Sequence, residues 1–193
     1  ISDQGDINLE SSFEQVEKYV QKNGKFDYSI CTHTLEDIRN PQLVIKKLTE
    51  ISKAGLLSFP SKYLELSKFE KPNMFRGFHH HRWIFVINKD KIISIPKTNM
   101  VEHKIFNKIQ KKYQDSVAEL YIEWQESIDY ETFNNDHLGP NHLEIFNKIK
   151  TPLLKSDEDN ALPKRPLFYK SQYLQQFKRS SYLKQRLSKL NII

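Results

Sequence analysis

The chain has 193 residues, 38% of them hydrophobic and 28% charged, with a formal net charge of +6. That length suits one domain, or one domain with an appendage, and apolar runs of only a few residues are too short for a membrane-spanning helix. The single cysteine, Cys31, excludes an internal disulfide. With no signal peptide visible, a reducing, cytoplasmic setting is expected. The chain starts at Ile1, not Met, so it is expected to be part of something longer. The basic balance is read as an ordinary lysine-rich surface or as a footprint for nucleic acid or another anionic partner.

In chain order, Ser11-Ser12-Phe13-Glu14 is patterned as a capping box, with Ser11 as cap and Glu14 reaching back. Phe13, Val16 and Val20 then share a helical face, and Asn23-Gly24 stops the helix. Phe26 to Cys31 is a buried strand. Asn40-Pro41 opens the next helix, whose inward stripe is Val44, Leu48 and Ile51. Leu56 to Phe59 is a short apolar strand closed by Pro60. This alternation of helix and strand predicts a parallel sheet with crossover helices.

The pattern then changes. Lys62 to Gly77 is a loop or partly helical excursion carrying Phe69, Met74 and Phe75. Arg82 to Ile87 and Lys91 to Ile95 form a hairpin across Asn88-Lys89-Asp90, at the end of the sheet. Val101 to Tyr113 is a helix with Ile105, Ile109 and Tyr113 inward. Leu120 to Trp124 reads as helix or strand, with strand preferred. Asn134 to Asn141 is turn-rich, Asp157 to Pro166 is a linker or surface loop, and Gln172 to Leu190 is a basic amphipathic helix.

The run Phe26-Asp27-Tyr28-Ser29-Ile30-Cys31-Thr32-His33-Thr34-Leu35-Glu36-Asp37-Ile38, followed by Asn40-Pro41, resembles the post-strand motif of class I S-adenosylmethionine-dependent methyltransferases of the type 11 kind. Lys53 to Ser61 is similar to that family's next helix end and strand. His79-His80-His81-Arg82-Trp83 resembles a segment of members that act on sugars and cell-surface glycans. The likeness covers Asp6 to about Lys97, about half of the chain. It implies an α/β fold: a Rossmann-like methyltransferase sheet, N-terminally truncated, with an antiparallel closing hairpin at Arg82 to Lys97 and a C-terminal α-rich extension. The expected division is residues 1–100 as the core and 101–193 as the extension. The implied activity is O-methylation of a sugar or glycan hydroxyl, with S-adenosylmethionine as cofactor.

The resemblance also assigns residues. Asp6 and Ile7 would hold the adenine, and Thr32, His33 and Leu35 would complete the cofactor side. His33 and His81 would be catalytic, since a His near the methyl group can take a hydroxyl proton. Glu36, His79, His80 and Arg82 would contact the acceptor, and Phe78 and Trp83 could stack on a sugar face. The departure is that the family's Gly-rich turn and ribose carboxylate are missing. The chain has only 5 glycines, none suitably spaced. A further N-terminal segment or partner chain is therefore expected at the edge of the Phe26 to Cys31 strand.

Plainer readings stand beside these. His33 is a capping or core histidine, the triple His a loop packed on the hairpin, Asp37 an acid favoured at a helix start, Cys31 a small apolar residue, and Trp83 hairpin core. Glu119, Glu123 and Glu126 are a solvated face. A divalent metal on His79 and His81 would need three or four ligands; no partner Cys or Asp stands out, and no metal is expected. Two other functions remain open. One is a non-catalytic methyltransferase-like binding module. The other is nucleic-acid binding through Lys104, Lys108, Lys111, Lys112, Lys178, Arg179, Lys184 and Arg186.

Overall fold

Local chemistry sets the first elements of the structure, a computed structural model that describes residues 5–68, 75–88, 91–109, 118–133 and 142–154. A 3-10 turn, Glu10–Phe13, leads into helix α1, Glu14–Asn23. Phe13 is buried there, and Val16 and Val20 are half-buried. The expected Ser11 capping box does not form: neither the turn nor α1 has a side-chain cap. Ser12 instead donates its hydroxyl to the Asp6 carbonyl at 2.7 Å. Gly24 ends α1 at φ +84°, a backbone state that glycine adopts without steric cost.

Strand β1, Ser29–Thr32, is followed by helix α2, Pro41–Ile51. The Asn40 side chain accepts from the Leu43 N–H at 3.1 Å, and Pro41 stands in the first turn, as the sequence predicts. Leu43, Val44 and Ile45 are its buried apolar face, with Leu48 and Ile51 half-buried. Strand β2, Ala54–Pro60, and the short helix α3, Lys62–Glu65, come next. Strands β3, Trp83–Asn88, and β4, Lys91–Pro96, form the hairpin. Two 3-10 turns, Asn99–Glu102 and Lys104–Phe106, stand at the start of the helix expected from Val101, and residues 107–109 are helical. Ile109 is buried and Ile105 half-buried. Strands β5, Glu119–Gln125, and β6, Tyr130–Thr132, and helix α4, His142–Leu154, complete the described elements.

The result is a mixed α/β fold with two three-stranded sheets among the described residues. In the first, β1 pairs parallel with β2, and β2 pairs antiparallel with β5. In the second, β4 lies between β3, antiparallel, and β6, parallel. A single bridge, Ser61 to Phe85, links them, and Phe59 stacks on Phe85 with ring centroids 4.3 Å apart.

Two expectations are corrected. The hairpin does not close the first sheet. The position beside β2 is taken by β5, and both hairpin faces are apolar, so each needs its own cover. Trp83, Phe85 and Ile92 face the core shared with α2 and β2, whereas Ile84, Val86, Ile93 and Ile95 face a second core with α4. This explains the unbroken apolar run of β3, as expected for a strand covered on two sides. Second, among the described residues β1 is an edge strand and not a buried inner one: Cys31 is buried, but Ile30 is 67% exposed. Strands β5 and β6, which follow residue 100, pair with β2 and β4, which precede it.

The turn at Lys89-Asp90, Phe69, Met74, Lys111, Lys112, Tyr113 and the expected loops at 134–141 and 157–166 lie outside the described residues. So does the basic helix at 172–190, with Lys178, Arg179, Lys184 and Arg186.

Candidate functional site

The site is built where β1 runs out. The ladder continues one residue past the strand, with the His33 N–H donating to the Ser58 carbonyl at 3.0 Å. His33 then turns the chain at φ +49°, a left-handed state uncommon for residues other than glycine, although His is enriched among the exceptions. The following turn carries Leu35 and Ile38 into the core and leaves Asp37 exposed. It is tied to the start of β3: the Glu36 carbonyl accepts from Arg82 N–H at 2.7 Å and Trp83 N–H at 3.2 Å. The Trp83 indole N–H donates to the Ile38 carbonyl at 2.8 Å.

Both ring nitrogens of His33 face carboxylates. Nδ1 is 3.5 Å from Glu36 Oε1, and Nε2 is 3.4 Å from Glu119 Oε1. Glu119 arrives from β5 because its register sets it opposite Pro60, at the carboxyl end of β2. Its other carboxylate oxygen accepts from the Tyr121 hydroxyl. Glu36 is 1% exposed, and neither of its carboxylate oxygens has a hydrogen-bond partner. Burial pushes its carboxyl above the ordinary 4.5, against the opposing pull of His81 and His33.

A second histidine system adjoins. The turn Phe78 to His81, closed by His81 N–H to the Phe78 carbonyl at 3.3 Å, sets the His80 and His81 rings nearly perpendicular, with centroids 4.5 Å apart. His81 is buried, and its Nδ1 meets Glu65 Oε1 at 2.6 Å. The other oxygen of Glu65 accepts from Lys97 Nζ at 2.6 Å. Gly77, at φ +60°, makes room: a Cβ there would lie 2.5 Å from the Glu65 carbonyl and 2.6 Å from Lys97 Nζ. Asp37 Oδ1 stands 3.8 Å from His80 Nε2 and 3.7 Å from His81 Nε2.

The structure therefore brings His33, Glu36, Asp37, His80 and His81 to one end of β1. The other candidates are placed differently. Leu35 is fully buried, so any ligand contact there falls to backbone atoms. Glu36 has almost no exposed surface, which suits orienting His33 and not holding an acceptor. Trp83 is core, as the plainer reading had it. His79 is exposed and packs edge-on against Phe75, with centroids 5.2 Å apart. Arg82 and Thr32 are exposed. Asp6 spends its carboxylate on Asn8 and on Arg39, whose Nη2 is 2.9 Å away. Asn8 Oδ1 accepts from the Arg39 and Asn40 N–H groups. Those bonds set Asp6 and the half-buried Ile7 against the start of α2.

Glu65 and Lys97 went unread in the sequence, and nothing local marks them. They meet His81 only through the packing of α3 and β4. Glu119 read as a solvated acid and becomes a site residue through register alone. Asp37 supplies the partner carboxylate that the histidine run lacked.

No protein-family model, curated protein or solved structure matches the chain. Among the described residues no helix is long and apolar enough to cross a membrane.

Proposed function

We propose that the chain acts in S-adenosylmethionine-dependent O-methylation of a sugar or glycan hydroxyl, as part of a Rossmann-like methyltransferase sheet. The reading is carried by the setting of His33: an accessible imidazole at the carboxyl end of a strand in a parallel pair, with a carboxylate at each ring nitrogen. Ligands of open α/β sheets bind at that end. Beside that parallel pair, β5 lies antiparallel to β2, in place of the hairpin that the resemblance implies.

The fit to the methyl donor is partial. Thr32 and His33 offer accessible groups at the strand exit, and Asp6 and Ile7 lie against the start of α2. The chain has no Gly-rich turn, however, and the Asp6 carboxylate is already bonded. The donor supplies a methyl group on sulfur. With the donor bound, Nε2 of His33 would take the proton of an acceptor hydroxyl, whose oxygen would receive the methyl group as S-adenosylhomocysteine leaves. Glu119 stabilises the imidazolium, and buried Glu36 fixes the ring. His80 and Arg82, both exposed beside this turn, are the acceptor contacts.

Calorimetry with S-adenosylhomocysteine and transfer of labelled methyl to a panel of sugars test the reading. His33→Asn is the informative variant, because Asn also tolerates the left-handed backbone. It is expected to keep the fold and lose transfer by about 10²–10⁴-fold. Unchanged transfer in that variant removes His33 as the base. Absence of both ligand binding and transfer favours the second reading, a non-catalytic binding module, for which the exposed edge of β1 and the missing Gly-rich turn speak.

A further inference from the structure

We propose that Asp37, His80 and His81 form a three-ligand site for a divalent first-row transition ion, with Glu65 as the carboxylate that orients His81. One ligand atom from each of the three residues lies within 4.8 Å of the others. Tetrahedral coordination with bonds of about 2.0–2.2 Å requires ligand atoms about 3.3–3.5 Å apart. The two measured separations from Asp37 Oδ1, 3.7 and 3.8 Å, exceed that by a few tenths of an ångström. Asp37 and His80 side chains are 43% and 64% exposed, so both are free to close that gap.

Three independent features point to an ion. The first is the support behind His81. Glu65, 1% exposed, lies 2.6 Å from His81 Nδ1; in the tautomer that donates Nδ1–H to it, the Nε2 lone pair faces Asp37. Metal-ligating histidines commonly donate their second ring N–H to such a carboxylate. Glu65 is held in turn by Lys97, whose Nζ also donates to the Phe78 carbonyl at 2.7 Å. The second is geometry: one tight turn presents two adjacent imidazoles to a carboxylate from a separate segment, as fixed by the Arg82 and Trp83 bonds to Glu36. The third is Glu36, beside Asp37 in sequence, whose buried carboxylate has no hydrogen-bond donor. A buried carboxylate with no hydrogen bond, and only His33 Nδ1 at 3.5 Å beside it, is costly, and a cation in the adjacent cluster reduces that cost.

Two imidazoles and one carboxylate suit zinc or a neighbouring transition ion, whereas calcium and magnesium prefer oxygen ligands. With three protein ligands and an exposed outer side, the ion keeps a position for water or a substrate oxygen. The site shares His80 with the acceptor contacts of the proposed methyl transfer, but metal binding is measured without that reaction.

The test is titration of the chelator-treated full chain with zinc chloride by calorimetry, paired with cobalt(II) absorption as a report on coordination. One equivalent is expected to bind. His80→Ala and Asp37→Asn, both on exposed side chains, should each weaken binding at least tenfold with unchanged circular dichroism. Glu65→Gln should weaken it by about 10–100-fold, and His79→Ala should leave it unchanged. No binding, or binding insensitive to His80→Ala and Asp37→Asn, overturns the proposal. Equal losses in His79→Ala overturn it too, since they mark general attraction of zinc to surface histidines.

Discussion

At the scale of single residues, Cys31 shows how burial decides chemistry. It is 9% exposed within the first core. Burial pushes its thiol up to about 11 from an ordinary 9.0, with Thr34 lowering and Glu36 raising it by lesser amounts. The neutral thiol is a poor nucleophile, so Cys31 is expected to resist iodoacetamide at pH 8 in the folded protein and to react once unfolded. The stability follows the same sign. With the folded value above the unfolded one, the contribution is complete below about pH 9 and is lost as pH rises from 9 towards 11. A urea midpoint that falls over that window in the native chain, and falls less in Cys31→Ala, checks it. The residue type alone suggested a small apolar filler. His33 is the opposite case: its identity was legible, but its left-handed backbone and two carboxylate neighbours were not.

At the scale of elements, local signals held where their physics was local. Asn40 and Pro41 start α2 because the cap bond spans three residues and needs nothing distant. Asn40→Ala is expected to cost about 1 kcal/mol in urea unfolding, with the helix otherwise intact. The Ser11 pattern failed because a 3-10 turn carries buried Phe13 into α1, and Ser12 bonds instead to the Asp6 carbonyl. The segment at β5 read as helix or strand with strand preferred, and strand is what forms. Its register was not legible, and register is what delivers Glu119 to His33.

At the scale of the molecule, the two sheets meet where Phe59 of β2 stacks on Phe85 of β3. Phe59 is fully buried and belongs to the core that joins α2, β1, β2, β3 and β5. Phe59→Ala is expected to cost about 3–5 kcal/mol, by lost transfer energy and the cavity left behind. A single unfolding transition, shifted by that amount, indicates that the sheets unfold as one unit; two separated transitions indicate that they do not. Arg76, 1% exposed, fastens the second core from inside. Its guanidinium donates to the Leu66 carbonyl at 2.5 Å and to Asn107 Oδ1 at 2.6 Å.

Sequence by itself determined the α/β alternation from α1 to β2, the parallel pair that turns His33 outward, and the hairpin. Each follows from short-range periodicity, caps and turns. Tertiary structure alone decided that the hairpin builds a second sheet, because only packing reveals that both of its faces are covered. It alone brought Glu65, Lys97 and Asp37 to the histidines and Glu119 to His33. Those meetings join segments far apart in the chain, and no local energy term records them.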